Sequence, residues 1–302
     1  MNTANTADLR TRFIFDHTPV RGLHVRLDDV WRHIATRKHY PLPVRRALGE
    51  LLAAAVLIAG NLKQEGSLIL QVQGEGGLKL LVAEANSDGT CRATARWDEE
   101  TAFADNAPLI DLLGGSGIFA LTMQPRHGEQ WQGMVPLEGG SIAAMLTAYM
   151  ARSEQIQTCI LLAADDHTAA SLMLQRLPGE TPDEEGWNHL LTLAGTVGAQ
   201  ELADTGAQQL LYRLFHETPP RVFPAEAVEF GCTCSRDKVG NMLRMLGAEE
   251  VGRAIAEEGS ITADCDFCSQ KYTFGEAEAD ALFGCSVAEA ARHPAGAAPQ
   301  VQ

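Results

Sequence analysis

Residues 230–251 read FGCTCSRDKVGNMLRMLGAEEV, and residues 261–274 read ITADCDFCSQKYTF. These stretches contain four cysteines in two close pairs, Cys232 with Cys234 and Cys265 with Cys268, and 30 residues separate the pairs. Two close pairs with such a gap can place four sulfurs around one tetrahedral ion, which is the geometry that Zn²⁺ favours. The spacing therefore predicts one Zn²⁺ per chain, bound by these four cysteines in the reduced state.

The same four sulfurs can instead form disulfides. A peroxide or hypochlorite oxidises a thiolate to a sulfenic acid, which condenses with a neighbouring thiol into a disulfide. A sulfur in a disulfide has no thiolate to offer a metal. The most economical connectivity is Cys232–Cys234 and Cys265–Cys268, each disulfide within its own pair. Arg236, Lys238 and Lys271 lie close to these cysteines in the sequence, and we expect their charges to favour the thiolate form.

The segment around the cysteines is too short to be stabilised by apolar burial alone. A unit of this size commonly needs a structural metal, and structural Zn²⁺ contributes on the order of 10–16 kcal/mol to small finger-like units. Whole domains are stable by only about 5–15 kcal/mol. We therefore expect the segment to unfold when the metal leaves.

Three other interpretations of the cysteine pattern remain open. A permanent Cys₄ zinc site would have the same spacing. An iron–sulfur cluster is disfavoured because Cys-x-Cys followed by a long gap is not a common cluster spacing. A thioredoxin-like redox motif opens a helix after a strand, whereas Cys265 and Cys268 lie between two strand-like segments.

Composition limits the kinds of partner. The chain has 302 residues and a formal net charge of −15, so we expect it to be repelled by nucleic acid and by anionic membrane surfaces. The N-terminal residues MNTANTADLR contain no apolar segment typical of a signal peptide. We therefore expect a cytosolic protein, in which paired cysteines are metal ligands or redox groups more often than structural disulfides.

Hydrophobic periodicity predicts an α+β protein with a mostly antiparallel sheet, helices packed on it, a helical linker and a small C-terminal zinc-binding module. A helix over residues 44–62 has apolar positions on more than one face, so we expect it to be central. The predicted divisions are an N-terminal α+β domain at 1–176, a metastable helical linker at 177–231, the zinc-binding redox module at 232–285 and a disordered tail at 286–302. Glycines beside the linker helices lower their intrinsic stability.

The whole pattern resembles the 33-kilodalton heat-shock protein family, the redox-regulated bacterial holdase chaperones. The resemblance begins with the cysteine stretches and the Tyr272-Thr-Phe274 that follows them. It extends over nearly the whole chain. The other segments that carry it are Val20–Gly22, His39–Pro41, Leu48–Ala54, Leu70–Gly74, Tyr149, Ser153–Gln155, Leu174–Pro178 and Leu214–Glu217.

This resemblance implies a mechanism. The reduced, zinc-bound protein would be inactive, and oxidation with mild unfolding stress would form two disulfides, release zinc and unfold the linker. The oxidised protein would dimerise and hold unfolding client proteins without ATP, using the N-terminal domain for binding and dimerisation. The family's four ligands correspond to Cys232, Cys234, Cys265 and Cys268.

The resulting hypothesis is a binding protein and not an enzyme. The alternatives are a static zinc-module adaptor or nucleic-acid-associated factor, and a thiol oxidoreductase. Three cysteines lie outside the ligand set. We expect Cys91 and Cys159 to be buried in strands, and Cys285, just past the module, to be able to interfere with disulfide pairing.

Overall fold

The computed structural model describes residues 8–62, 64–137, 139–177 and 183–292. Its contacts divide the chain into two compact units, an N-terminal unit that ends at Gly231 and a cysteine unit that begins at Cys232. The elements of the N-terminal unit are β1 (Asp8–Ile14), β2 (Val20–Leu27), α1 (Asp29–Ala35), α2 (Leu42–Ala59), β3 (Gly66–Gly74), β4 (Leu78–Asn86), β5 (Thr90–Trp97), α3 (Leu109–Leu112), β6 (Gly117–Pro125), β7 (Trp131–Pro136), α4 (Ile142–Arg152), β8 (Thr158–Ala164), β9 (Ala169–Arg176), α5 (Glu184–Ala194), α6 (Ala199–Asp204), α7 (Ala207–Phe215), β10 (Arg221–Val222), β11 (Glu226–Ala227) and β12 (Glu229–Phe230).

The strands of the N-terminal unit form two sheets. The first sheet has the order β10-β1-β2-β9-β8, and β11 also pairs with β1. The second sheet has the order β12-β5-β4-β3-β6-β7. Among the described strands, the pairing of β12 with β5 is parallel and the other pairings are antiparallel. The predicted α+β class with mostly antiparallel strands is confirmed, although the strands form two sheets in this unit where one was expected.

Helix α2 lies between the two sheets. It contacts β2, β8 and β9 of the first sheet and β3, β4 and β5 of the second. Of its 18 residues 14 are buried, so the helix has almost no polar face and its sequence is apolar nearly all round. The predicted central helix is therefore confirmed, with its end at Ala59 and a turn over residues 60–61.

Helices α5, α6 and α7 cover the other face of the first sheet. Their apolar side chains form one buried cluster with those of β1, β2, β8 and β9. From the helices, the cluster includes Trp187, Leu190, Leu202, Leu210, Leu211, Leu214 and Phe215. The predicted helical character of the linker is thus confirmed by three helices, α5, α6 and α7. Residues 178–182 of the predicted linker lie outside the described residues.

The segment after α7 returns to both sheets, which the sequence did not indicate. Strands β10 and β11 pair with β1, and β12 pairs with β5. Each has two residues, too few for alternation of polar and apolar positions to be recognised. These short strands lie between and after the prolines at 219, 220 and 224, and proline is tolerated at the edge of a sheet.

The elements of the cysteine unit are α8 (Arg236–Leu246), α9 (Ala248–Glu258), β13 (Ile261–Asp264), β14 (Lys271–Phe274), α10 (Glu276–Phe283) and α11 (Val287–Arg292). Gly247 and Gly259 follow α8 and α9 with φ of +94° and +78°, a backbone region that favours glycine. Strands β13 and β14 form the predicted hairpin. The buried apolar core of this unit consists of Leu243, Val251, Ile255, Phe274, Ala279 and Val287.

The predicted disordered tail is wrong for its first residues. Residues 287–292 form α11, and Val287 is fully buried in the core of the cysteine unit. The segment VAEAAR consists mainly of good helix formers, and the helix packs against α9 and α10. Residues 293–302 of the predicted tail lie outside the described residues.

Candidate metal centre

The first cysteine pair lies in the extended segment that precedes α8. Ser235 follows Cys234 and caps the helix, because its Oγ accepts a hydrogen bond from the backbone N–H of Lys238 at 3.2 Å. The cap fixes the point at which the extended chain turns into the helix. The side chains of Cys232 and Cys234 are thereby placed beside the start of α8.

The second pair lies in the turn of the β13–β14 hairpin. The N–H of Cys265 donates to the carbonyl of Gln270 at 3.0 Å, and the N–H of Ser269 donates to the carbonyl of Cys265 at 2.8 Å. Ser269 closes this tight turn with a φ of +56°. Backbone N–H groups of Phe267 and Cys268 also hydrogen-bond to the sulfur of Cys265. N–H groups directed at a sulfur favour its thiolate form.

The structure brings the four predicted cysteines together. The Sγ atoms of Cys232 and Cys265 are 3.7 Å apart, and those of Cys234 and Cys268 are 3.3 Å apart. All four sulfurs lie within 4.8 Å of one another. A tetrahedron of sulfurs with Zn–S bonds of about 2.3 Å has S···S edges of about 3.8 Å. The four cysteines are therefore positioned to hold a metal ion, and their all-sulfur donor set suits a tetrahedral thiophilic metal.

Electrostatics inside the cluster favour a bound cation. Burial raises the pKa of Cys265 and raises that of Cys268 to about 12, and hydrogen bonding with Cys232 adds to both rises. Sulfurs this close together do not ionise readily on their own, because each added negative charge repels the others. A divalent cation reverses this preference, since its charge stabilises the thiolates that bind it.

Tyr272, which the sequence analysis named only as part of the family resemblance, contacts the sulfur cluster. Its hydroxyl donates a hydrogen bond to Cys234 Sγ at 3.1 Å, and this bond is the main cause that raises the pKa of Tyr272 to about 12. A polar group that bonds to a metal ligand orients the ligand and tunes its basicity. Tyr272 lies four residues after Cys268, in the strand that leaves the turn, but spacing alone does not distinguish it from a core tyrosine.

Two cationic side chains that were expected to act on the cysteine thiolates, those of Arg236 and Lys271, pair with carboxylates instead. Arg236 forms an ion pair with Glu278 at 2.6 Å, donates to the carbonyl of Thr273 at 2.7 Å, and lies 4.2 Å from the ring centroid of Phe274. Lys271 pairs with Asp264 at 3.6 Å. These contacts join α8, the hairpin and α10, so the two cations brace the cysteine unit.

Comparison with known proteins identifies the family. A family model described as "Hsp33 protein" matches residues 8–275. A 33 kDa chaperonin of Neisseria gonorrhoeae is 63% identical over 288 residues, which cover 95% of both chains. A 33 kDa chaperonin of Chromobacterium violaceum is 49% identical over 95% of this chain and 98% of the relative. The chain belongs to the Hsp33 family.

A solved structure agrees with this assignment at the level of the fold. The crystal structure of the 33 kDa chaperonin from Thermotoga maritima superposes with a TM-score of 0.77, covering 91% of this chain and 98% of that one at 23% identity. The match of the Hsp33 family model includes both cysteine pairs and ends after β14. Helices α10 and α11 lie beyond it.

The three remaining cysteines of this Hsp33-family chain lie in different environments. Cys91 is buried in β5, and burial raises its pKa to about 12. Cys159 in β8 is half-buried at the edge of the cluster under α5–α7, and burial raises its pKa as well. The prediction of buried cysteines is confirmed for Cys91 and met only in part for Cys159. Cys285 is exposed.

No helix in the described parts of the chain combines the length and the apolar character needed to cross a bilayer.

Proposed function

We propose that this chain is a redox-regulated, ATP-independent holdase that binds unfolding proteins during oxidative stress. The observation that carries the proposal is the set of four sulfurs within 4.8 Å of one another in a unit with a small apolar core. Membership of the chaperone family that contains the 33 kDa chaperonins supports it. We assign Cys232, Cys234, Cys265 and Cys268 as ligands of one Zn²⁺ in the reduced state.

When bound, Zn²⁺ would hold four thiolates together and so link the α8 segment to the hairpin. A thiolate attacks a peroxide, becomes a sulfenic acid and releases water. A second thiolate then displaces hydroxide from that sulfur, which forms the disulfide. Formation of each disulfide transfers two electrons from a pair of thiolates to one peroxide, so two peroxides oxidise the site and their oxygens leave as water. We assign the pairing Cys232–Cys234 and Cys265–Cys268.

Loss of the thiolates removes the main stabilisation of the cysteine unit. Disulfides across one or two intervening residues restrict the unfolded chain too little to replace it. The linker helices precede this unit in the chain. Short helices are only marginally stable in isolation, so these helices stay folded only while their apolar stripe is docked on the sheet. Their release exposes the stripe and the face of the first sheet that it covers. An apolar surface of this size binds unfolded chains without sequence specificity.

The oxidised protein would act as a homodimer in the cytoplasm. A net charge of −15 argues against nucleic acid and anionic membrane surfaces as partners. The clients are proteins with exposed apolar segments, and holding them needs neither ATP nor turnover of a substrate.

A paired metal and aggregation assay tests this proposal. Reduced protein is treated with peroxide at mild heat, released zinc is followed with a chromogenic chelator, and aggregation of an unfolding client is followed by light scattering. We expect one zinc per chain to be released together with a gain of anti-aggregation activity. Mass spectrometry of non-reduced peptides determines the disulfide pairing. Analytical sedimentation measures whether the oxidised protein is a dimer.

Two serine variants sharpen the assay. Cys232→Ser removes one ligand, so it should bind zinc more weakly and have a less stable cysteine unit before oxidation. Cys285→Ser removes an exposed thiol outside the cluster and should behave as the parent chain. A static zinc adaptor would release zinc without gaining anti-aggregation activity, and a thiol oxidoreductase would turn over small dithiols.

A further inference from the structure

Residues 221–231, which we call the strap, join the linker helices to the cysteine unit and are built into both sheets. The N–H of Phe223 donates to Arg12 O at 2.9 Å, and that of Val228 donates to Asp8 O at 3.0 Å. The N–H of Gly231 donates to the carbonyl of Cys91 at 3.0 Å. The strap therefore crosses from β1 of the first sheet to β5 of the second and ends one residue before Cys232.

An ion-pair cluster fastens the middle of the strap. Glu226 accepts from Arg10 Nε at 2.6 Å and also pairs with Arg12. The side chain of Arg10 is only 7% exposed, and its Nη2 donates to Ser87 O at 2.7 Å in the turn between β4 and β5. Burial alone would raise the pKa of Glu226, but the hydrogen bonds from Arg12 and Arg10 outweigh it and lower the pKa. Removing Glu226 would leave the buried Arg10 charge without its ion-pair partner.

Apolar contacts hold the end of the strap. Val228 is 3% exposed and belongs to the core around α2. The ring of Phe230 meets that of His33 edge-on, with centroids 4.7 Å apart, and the Arg37 guanidinium lies 4.8 Å from its centroid. These contacts add to the backbone hydrogen bonds and the ion pairs.

The linker helices are held in a different way. Helices α5–α7 are held on the first sheet by the packing of their side chains. The strap, in contrast, forms backbone hydrogen bonds with β1 and β5. Residues 177–220 run between the two sheet-bound strands β9 and β10. As long as the strap stays bound, these 44 residues form a closed loop, and a closed loop gains less entropy on unfolding than a chain with a free end.

We propose that the strap is a latch that stays bound after the cysteine unit has lost its metal, and that Glu226 sets the stress at which it opens. This inference rests on the proposed function and divides the predicted linker into two parts with different stabilities. The family resemblance already implies that oxidation acts together with mild unfolding stress. The inference is that this stress acts on the strap, so the linker helices are released completely only once the strap has opened.

Amide hydrogen exchange of the full-length protein tests the latch. In the oxidised parent chain at moderate temperature, we expect peptides from the cysteine unit to exchange fast while strap peptides stay slow. Glu226→Gln should speed exchange of the oxidised strap by about tenfold or more, since it removes two charge-assisted hydrogen bonds. It should also lower the temperature at which anti-aggregation activity appears.

Glu229→Gln is the matched control, because Glu229 is an exposed acid on the same strap and the change in charge is the same. It should behave as the parent chain. Arg12→Gln removes one ion pair and leaves Arg10 paired, so it should give a smaller increase in the exchange rate of the strap. It replaces Glu226→Gln as the test variant if Glu226→Gln does not fold. Fast strap exchange in the parent chain as soon as zinc is released would overturn the latch, as would equal behaviour of Glu226→Gln and Glu229→Gln.

The exchange data separate this inference from the proposed function. If the oxidised parent chain gains no anti-aggregation activity, the holdase proposal fails whatever the strap does. If activity appears while the strap opens together with the cysteine unit, the holdase proposal stands and the latch is refuted.

Discussion

At the scale of single residues, the hydroxyl of Tyr272 makes a direct side-chain contact with the sulfur cluster. It donates to Cys234 Sγ at 3.1 Å. Loss of such a supporting hydrogen bond typically weakens metal binding by about 10- to 100-fold. We therefore expect Tyr272→Phe to bind zinc at least about tenfold more weakly in competition with a chromogenic chelator.

Tyr212→Phe is the control for this prediction, because Tyr212 is 73% exposed and belongs to α7 in the other unit. It should leave zinc affinity unchanged. Equal zinc affinity of the Tyr272 variant and the parent chain would show that the hydrogen bond does not tune the site.

His24 gives the fold a pH dependence. It is 1% exposed on β2 and pairs across to Leu172, which belongs to the cluster under the linker helices. Burial, together with the charge of Arg26, lowers the pKa of His24 to about 4. The unfolded chain takes up this proton near pH 6.5, so stability falls as the pH drops from about 6.5 toward 4, by about 3 kcal/mol in total.

Urea unfolding of the reduced protein between pH 4.5 and 7.5 measures this effect. His24→Leu cannot take up the proton, so the decrease in unfolding free energy over that range should be smaller than in the parent chain. His39→Leu removes an exposed histidine and should keep the parent's pH dependence. An identical pH dependence in all three proteins would contradict the assignment.

The four cysteines of the cluster could be predicted because their spacing is itself the chemical signal. The contacts of Tyr272 and His24 could not be, since a tyrosine or histidine has the same sequence pattern in a core as in a polar contact. Their roles depend on partners that lie 38 residues away for Tyr272 and on a neighbouring strand for His24.

At the scale of elements, long periodic segments were predicted well and short ones were not. Helix α2 repeats its apolar pattern over 18 residues, so its central position could be predicted from its own sequence. Strands β10, β11 and β12 take their structure from the edges of β1 and β5, which are more than 130 residues away. Backbone pairing of this kind leaves little trace in the side chains of so short a strand.

Helix α5 provides a test of linker stability. Gly195 ends the helix with φ of −66°, a conformation that alanine adopts freely, and its nearest contact for an added Cβ is Leu191 O at 3.3 Å. Gly195→Ala should stabilise the linker by about 0.4–1 kcal/mol, because alanine has fewer unfolded conformations. We expect slower gain of anti-aggregation activity in peroxide at mild heat.

Gly198→Ala is the matched variant, which we expect to lower the stability of the linker where Gly195→Ala raises it. Gly198 is the N-cap of α6 and has open space around it, and alanine is a much poorer N-cap than glycine. This variant should activate faster than the parent chain. Identical activation kinetics in both variants would refute the idea that linker stability controls activation.

At the scale of the whole molecule, the two units differ in how they are stabilised. The N-terminal unit is built around a largely buried helix between two sheets, whereas the core of the cysteine unit contains six buried apolar side chains among the described residues. Chelation of zinc from the reduced protein should therefore unfold residues 232–292 and leave α2 protected. Hydrogen exchange at neutral pH measures both regions in one experiment.

The parent chain before chelation and the Cys285→Ser variant serve as controls, and both should show a protected cysteine unit. A cysteine unit that stays protected after complete zinc removal would show that its apolar core is sufficient. Loss of protection in α2 would show that the units do not unfold separately.

The placement of the strap has a consequence for biosynthesis. Strand β1 leaves the ribosome well before residues 221–227, yet only these residues complete its outer edge. Until then a nascent chain presents a bare strand edge, which is a template for aggregation. A protein made to keep others from aggregating is thus itself at risk during its own translation, and truncation before residue 221 should yield chains that depend on other chaperones.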